Sequence, residues 1–168
     1  MHRGITLTGS PSIKELEESP GYPSETRMLK GPIAVIECVQ EIPCDVCGLI
    51  CPYNAIEVTT LKNLPKLLEE KCEGCGACIP LCPGQAIFLV NHNYSRENAL
   101  ISFPYEFTPL PKVDSEVEAV NRLGQVITKG SIAMILDRET FDHTVVISII
   151  VPKKFAQQVR GIKLLREG

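Results

Sequence analysis

The chain is 168 residues long, with 44% hydrophobic and 22% charged residues, a net charge of -3 and a pI near 5.7. This composition is globular rather than disordered, and its mild acidity offers no long-range attraction for nucleic acid or an anionic membrane. No window approaches the roughly 18 apolar residues of a membrane span, and the start MHRGITLTGSPSIKELEESP lacks the apolar run of a secretory signal, so a cytoplasmic protein is expected.

Residues 1–31 hold Gly9, Pro11, Pro20, Gly21, Pro23 and Gly31, with one short polar helix candidate from Ser12 to Glu18. These breakers predict an extended arm, laid across a partner or across the rest of the chain. PIAVIECVQ then reads as a strand running into the first cysteine, and AIEVTT as a second short strand after Cys51-Pro52. LKNLPKLLEEK links this half to CEGCGACIPLCP and GQAIFLV. The halves echo each other: CGLICPYNAIEV at 47–58 matches CIPLCPGQAIFL at 78–89, an offset of 31. Such a repeat predicts a pseudo-two-fold module in which neither half buries its contents alone.

Beyond Asn98 the cysteines stop, and ALISF, EVEAVNRLGQVIT, SIAMIL and TVVISIIV predict strands punctuated by Gly124, Gly130 and DRETFDH. The last segment, PKKFAQQVRGIKLLREG, opens with a proline suited to a first helical turn. It spaces Phe155, Val159, Ile162 and Leu165 near one face, which predicts a short amphipathic helix weakened by Gly161. The division expected is an arm over 1–31, a cysteine domain over 32–98 and a β-rich domain or docked extension over 99–168.

The eight cysteines are Cys38, Cys44, Cys47, Cys51, Cys72, Cys75, Cys78 and Cys82. In a reducing compartment, clustered thiols point to metal rather than to structural disulfides. Cys72-x2-Cys75-x2-Cys78-x3-Cys82-Pro83 is the run of a bacterial 4Fe-4S site, in which Gly74 and Gly76 let backbone amides approach the cluster sulfides. The first half ends alike, in Cys44-x2-Cys47-x3-Cys51-Pro52. Two zinc sites of four thiolates each are the other use of such an array, but zinc usually pairs one CxxC with a distant CxxC.

Over residues 36–90 the chain resembles the two-cluster bacterial-type ferredoxins. The resemblance implies a pseudo-two-fold dicluster module with two 4Fe-4S clusters and crossed ligation; with the N-terminal extended arm and a C-terminal antiparallel β extension ending in a short helix, the fold class expected is α+β. Cys72, Cys75, Cys78 and Cys51 would hold one cluster, and Cys44, Cys47 and Cys82 the other. At the repeat offset of 31 the counterpart of Cys72 is Glu41, a departure from the family pattern, and Cys38 lies three residues earlier. Either the loop is three residues longer and Cys38 is the ligand, or Glu41 leaves an incompletely ligated cluster. Thiolate is the usual cubane ligand, which favours Cys38 over its reading as a buried free thiol.

His2, His92 and His143 are scattered, and there is no GxGxxG or GxxxxGK[ST] phosphate loop, so no catalytic site is expected in this chain. Glu69, Glu70 and Glu73 read as solvated surface, or as a seat for a basic partner. Two clusters without a catalytic group make an electron relay. The sequence outside the module favours an iron-sulfur subunit of an oxidoreductase complex over a free ferredoxin shuttle or a structural or redox-sensing module. The loop CVQEIPCDVCGLICP and the tail TVVISIIVPKKFAQQVRGI also resemble small subunits that accompany flavin-dependent amino-acid dehydrogenases of the proline and hydroxyproline class. That implies FAD-containing flavoprotein partners; a soluble electron acceptor is a separate candidate partner for a relay.

Overall fold

A computed structural model describes residues 4–163. Its frame is a seven-stranded antiparallel sheet formed by β1 (Ile33–Ile36), β4 (Ile87–Asn91), β5 (Asn98–Tyr105), β8 (Val145–Pro152), β7 (Val126–Leu136), β6 (Glu116–Val120) and β9 (Gly161–Ile162), in that spatial order. A separate hairpin pairs β2 (Ile56–Glu57) with β3 (Lys66–Leu67). The long central strands are rich in Ile and Val, whose branched side chains suit a pleated, buried surface. Phe103, Ile101, Ile147 and Ile149 are at most 1% exposed and anchor the main core.

The repeat seen in the sequence is also present in the strand register. Ile36 faces Ile87 across β1 and β4, and Ile56 faces Leu67 across β2 and β3. Shifting Ile36 by 31 gives Leu67, and shifting Ile56 by 31 gives Ile87. Each half is therefore a strand, a cysteine loop and a strand, and each opening strand pairs with a closing strand: β1 with the other half's β4, β3 with the other half's β2. A second core lies between them, where Ile33, Ile36, Ile56, Leu67, Ile79 and Ile87 pack with Cys47 and Cys78.

Three expectations differ from the structure. Residues 4–31 form not an extended arm but three short helices, α1 (Ile5–Thr8), α2 (Ile13–Glu17) and α3 (Glu25–Met28), of which α2 is the helix expected from Ser12 to Glu18. Ser12 and Glu15 close a capping box on α2, and Leu16 and Met28 are buried, so local capping and apolar anchors outweigh the breakers. The tail does not form a helix over 153–163. A 3-10 turn at Lys153–Phe155 leads instead into β9, where the amides of Arg160 and Lys163 donate to Val120 O and Glu118 O along the edge of β6 (2.9 Å each). Sheet pairing wins there over helical periodicity, and Leu165 lies outside the described residues. Gly130 does not interrupt the chain but lies inside β7, where a Cβ would come within 2.8 Å of Ile150 O.

The sheet also runs unbroken across residues 98 and 99. β4 pairs with β5 as well as with β1, so strands before and after this position belong to one layer.

Candidate iron-sulfur site

The two cysteine loops sit at the end of β1 and between β3 and β4. In the first, Cys44 precedes the short helix α4 (Val46–Ile50), which carries Cys47 and is capped by Cys51. Cys38, Cys44, Cys47 and Cys82 line one cavity of about 210 Å3, together with Ile36, Glu37 and Ala86. Cys51, Cys72, Cys75 and Cys78 line a second, smaller one of about 20 Å3. Each cavity thus takes three cysteines from one loop and the last cysteine from the other. Among the described residues no group of His, Cys, Asp and Glu is gathered closely enough for a single metal ion.

Electrostatics repeat this grouping. Burial pushes the Cys47 thiol up to about 11, with further upward pressure from Cys82 and Cys44. Cys38 is raised by burial and then by Cys82 and Cys44, and Cys78 by burial and then by Cys72 and Cys75. Gathering thiolates in a buried place is costly without a cation, and iron supplies the offsetting charge. Each cavity's four thiols form a donor set that suits thiolate-bound iron.

Backbone geometry supports both cavities in parallel ways. Ala55 N donates to Cys51 Sγ (3.3 Å) and Ala86 N to Cys82 Sγ (3.4 Å). Both turns use a residue of positive φ, Asn54 and Gln85, each at 49°. Gly74, at φ 66°, passes so close to Pro32 that a Cβ would lie 2.6 Å from Pro32 O. Only glycine fits this turn.

Cys38 lines the first cavity, whereas Glu41 is exposed and does not. The expectation of a loop three residues longer is corrected: Ile36 to Cys44 and Leu67 to Cys75 span the same number of residues, and Ile36 and Leu67 are matched in register. The wide gap reflects a cysteine moved three positions towards β1 within a loop of unchanged length.

Sequence reasoning passed over several residues at the site. Arg27 donates from Nη2 to Cys72 O (2.7 Å) and from Nε to Glu69 O (2.9 Å), tying α3 to the second loop. Glu69 is not merely solvated, since it accepts from Ser24 N and Ser24 Oγ (2.8 Å each). Glu37, next to Cys38, is buried with Arg122 and Arg160. Arg122 donates from Nε to Glu37 Oε2 (2.7 Å) and from Nη2 to Oε1 (2.5 Å), and Arg160 from Nε to Oε1 (2.6 Å). Burial raises the Glu37 pKa, but the Arg122 hydrogen bond and both arginine charges outweigh it and hold the carboxyl below its usual range. The signal was available: a carboxylate ending the apolar run PIAVI needs a cation once buried. His92 and His143 line neither cysteine cavity, and His2 lies outside the described residues.

Residues 36–93 match the LdpA Fe-S cluster-binding domain. The chain is an iron-sulfur protein. It is 46% identical over 48 residues to a subunit of the ion-translocating oxidoreductase complex of Methanosarcina acetivorans, covering 29% of this chain and 17% of that one. It is 32% identical over 84 residues to the polyferredoxin-like subunit of an aliphatic sulfonate oxidoreductase from Pyrococcus furiosus, covering 50% and 42%. Protein Pixie of Drosophila melanogaster is 32% identical over 98 residues, covering 52% and 15%. This iron-sulfur chain spans less than half the length of each of these relatives. No solved structure matches it. Among the described residues no helix is long and apolar enough to cross a membrane.

Proposed function

We propose that this chain is an electron-transfer subunit of an oxidoreductase complex and holds two 4Fe-4S clusters in a dicluster ferredoxin module. Cys38, Cys44, Cys47 and Cys82 bind the first cluster, and Cys51, Cys72, Cys75 and Cys78 the second. The observation that carries this reading is the pairing of two four-cysteine cavities, each completed by a cysteine from the opposite loop. The oxidoreductase subunits among the relatives support it.

The clusters supply one-electron steps between donor and acceptor. The protein holds the two sites close together: Cys47 and Cys51 face different cavities yet lie four residues apart around α4, a rise of about 6 Å along a helix. Cys75 is exposed while Cys78 is buried, so the second site reaches the surface at one corner. Beside the cysteine loops Leu49 is 78% exposed and Tyr53 and Leu61 about half exposed, an apolar fringe suited to a protein partner. The partner in this reading is an FAD-containing amino-acid or amine dehydrogenase. Its support is the resemblance of the first loop, CVQEIPCDVCGLICP, and the TVVISIIVPKKFAQQVRGI tail to subunits of that class, and free thiols in such number suit a cytoplasmic setting.

Anaerobic purification from the native source tests the proposal. The expected result is about eight iron and eight sulfide per chain, 4Fe-4S signals that reduce and reoxidise, and a co-purifying yellow flavoprotein. Zinc in place of iron would overturn the cluster reading. A stable, active chain free of partners would overturn the subunit reading.

A further inference from the structure

Arg122 and Arg160 come from the loop after β6 and from the segment leading into β9, far along the chain from the cysteine loops, yet both converge on Glu37. The side chains of Glu37, Arg122 and Arg160 are 5%, 11% and 4% exposed. Arg160 also stacks over the Phe88 ring at 5.2 Å and donates from Nη1 to Ala156 O (3.1 Å) and Val159 O (2.5 Å), while its Nη2 is buried without a partner among the described residues. Two cations against one anion leave a net positive charge in a place where water and salt screen weakly.

The position of this charge is specific to one of the two sites. Glu37 lines the cavity of Cys38, Cys44, Cys47 and Cys82 and is bonded through its amide to Ala86 O, whose own amide donates to Cys82 Sγ. Arg122 and Arg160 line a neighbouring cavity of about 350 Å3 that shares Glu37, Gly84 and Ala86 with the first. None of the three charged residues lines the cavity of Cys51, Cys72, Cys75 and Cys78.

We infer that the Arg122–Glu37–Arg160 group is an electrostatic device that sets the two sites apart, with the arginines raising the reduction potential of the cluster held by Cys38, Cys44, Cys47 and Cys82. A cluster gains one negative charge when it takes an electron, so a nearby cation stabilises the reduced form and a nearby carboxylate opposes it. Each arginine makes the first cluster easier to reduce than it would be without that charge, while Glu37, which lines the cavity, acts in the opposite sense. The β extension then does more than brace the module, because it supplies both cations. This inference rests on the two-cluster reading given above.

The test is an anaerobic redox titration of the full chain at pH 8, with each cluster followed by its EPR signal. Arg122→Gln should lower the midpoint potential of one cluster and leave the other in place, and Arg122→Lys, which keeps the charge, should restore most of the shift. Glu37→Gln should move the same cluster in the opposite direction, a sign reversal that loosened packing would not produce. Cys82→Ala identifies the affected cluster, since its signal should be the one lost. Unchanged potentials in both Arg122→Gln and Glu37→Gln, equal shifts of both clusters, or shifts of the same sign in both variants would overturn the inference while leaving two clusters standing. An unsubstituted chain that takes up only one cluster would overturn the two-cluster reading and this inference with it.

Discussion

Cys51 and Cys82, separated by 31 residues, each accept a hydrogen bond at Sγ from the amide four residues later, yet each faces the cavity of the opposite loop. The last cysteine of each loop is therefore a cross-tie. Cys82→Ala should weaken the cluster whose other cysteines are Cys38, Cys44 and Cys47, and Cys51→Ala the one served by Cys72, Cys75 and Cys78. EPR of the two reduced variants should show complementary losses. Loss of the signal belonging to the same loop in each case would refute crossed ligation.

Cys38 and Glu41 compete for one role by sequence, and only Cys38 lines the cavity. Cys38→Ala should abolish or convert the first cluster's signal and lower iron content, while Glu41→Ala should leave both clusters intact. Iron analysis with EPR checks this, and the reverse pattern would remove Cys38 from the ligand set.

Gly74 has φ 66° and no room for a side chain against Pro32. Gly74→Ala should destabilise the protein by about 2 kcal/mol, through left-handed backbone strain and displacement of the residue that leads into β1. The second cluster, whose Cys72 and Cys75 flank this glycine, should be the one taken up less completely. Denaturation of the loaded protein and iron stoichiometry measure the two effects, and a variant as stable and as fully loaded as the parent would count against the close approach.

Much of the site was legible because its chemistry is written in short-range spacing. Cysteines three or four residues apart must share a loop, and the offset of 31 carried over directly into strand register. The placement of Glu37 with Arg122 and Arg160 was not legible, since Glu37 follows β1 at one end of the strand order while Arg122 and Arg160 flank β6 and β9 at the other, and they meet only in the folded chain. The tail misled for a related reason. Phe155 and Val159 have helical spacing, but the edge of β6 offers unpaired backbone groups that Arg160 and Lys163 satisfy as a strand. Partners distant in sequence decided both cases.

Acid should probe the Glu37 group directly. The carboxyl pKa is lowered in the folded chain, so its contribution is fully present above the unfolded glutamate value of about 4.3 and is lost as pH falls through the lower folded value. The parent should therefore lose stability more steeply below about pH 4.3 than Glu37→Gln, which lacks this titration. Urea midpoints measured across that range check the sign, and parallel curves for the two proteins would contradict it.

The two-sided pairing of β4, to β1 and to β5, bears on how such a module can be handed between proteins. A fragment ending near Asn98 would carry β4 with a bare ladder along one side and Phe88 and Val90 stripped of their neighbours, a surface prone to pair with other copies. The cysteine loops of this chain are thus not a detachable cassette. Any recombination that transplanted them would have to carry β5 and β8 along, or provide a new strand to close the exposed edge.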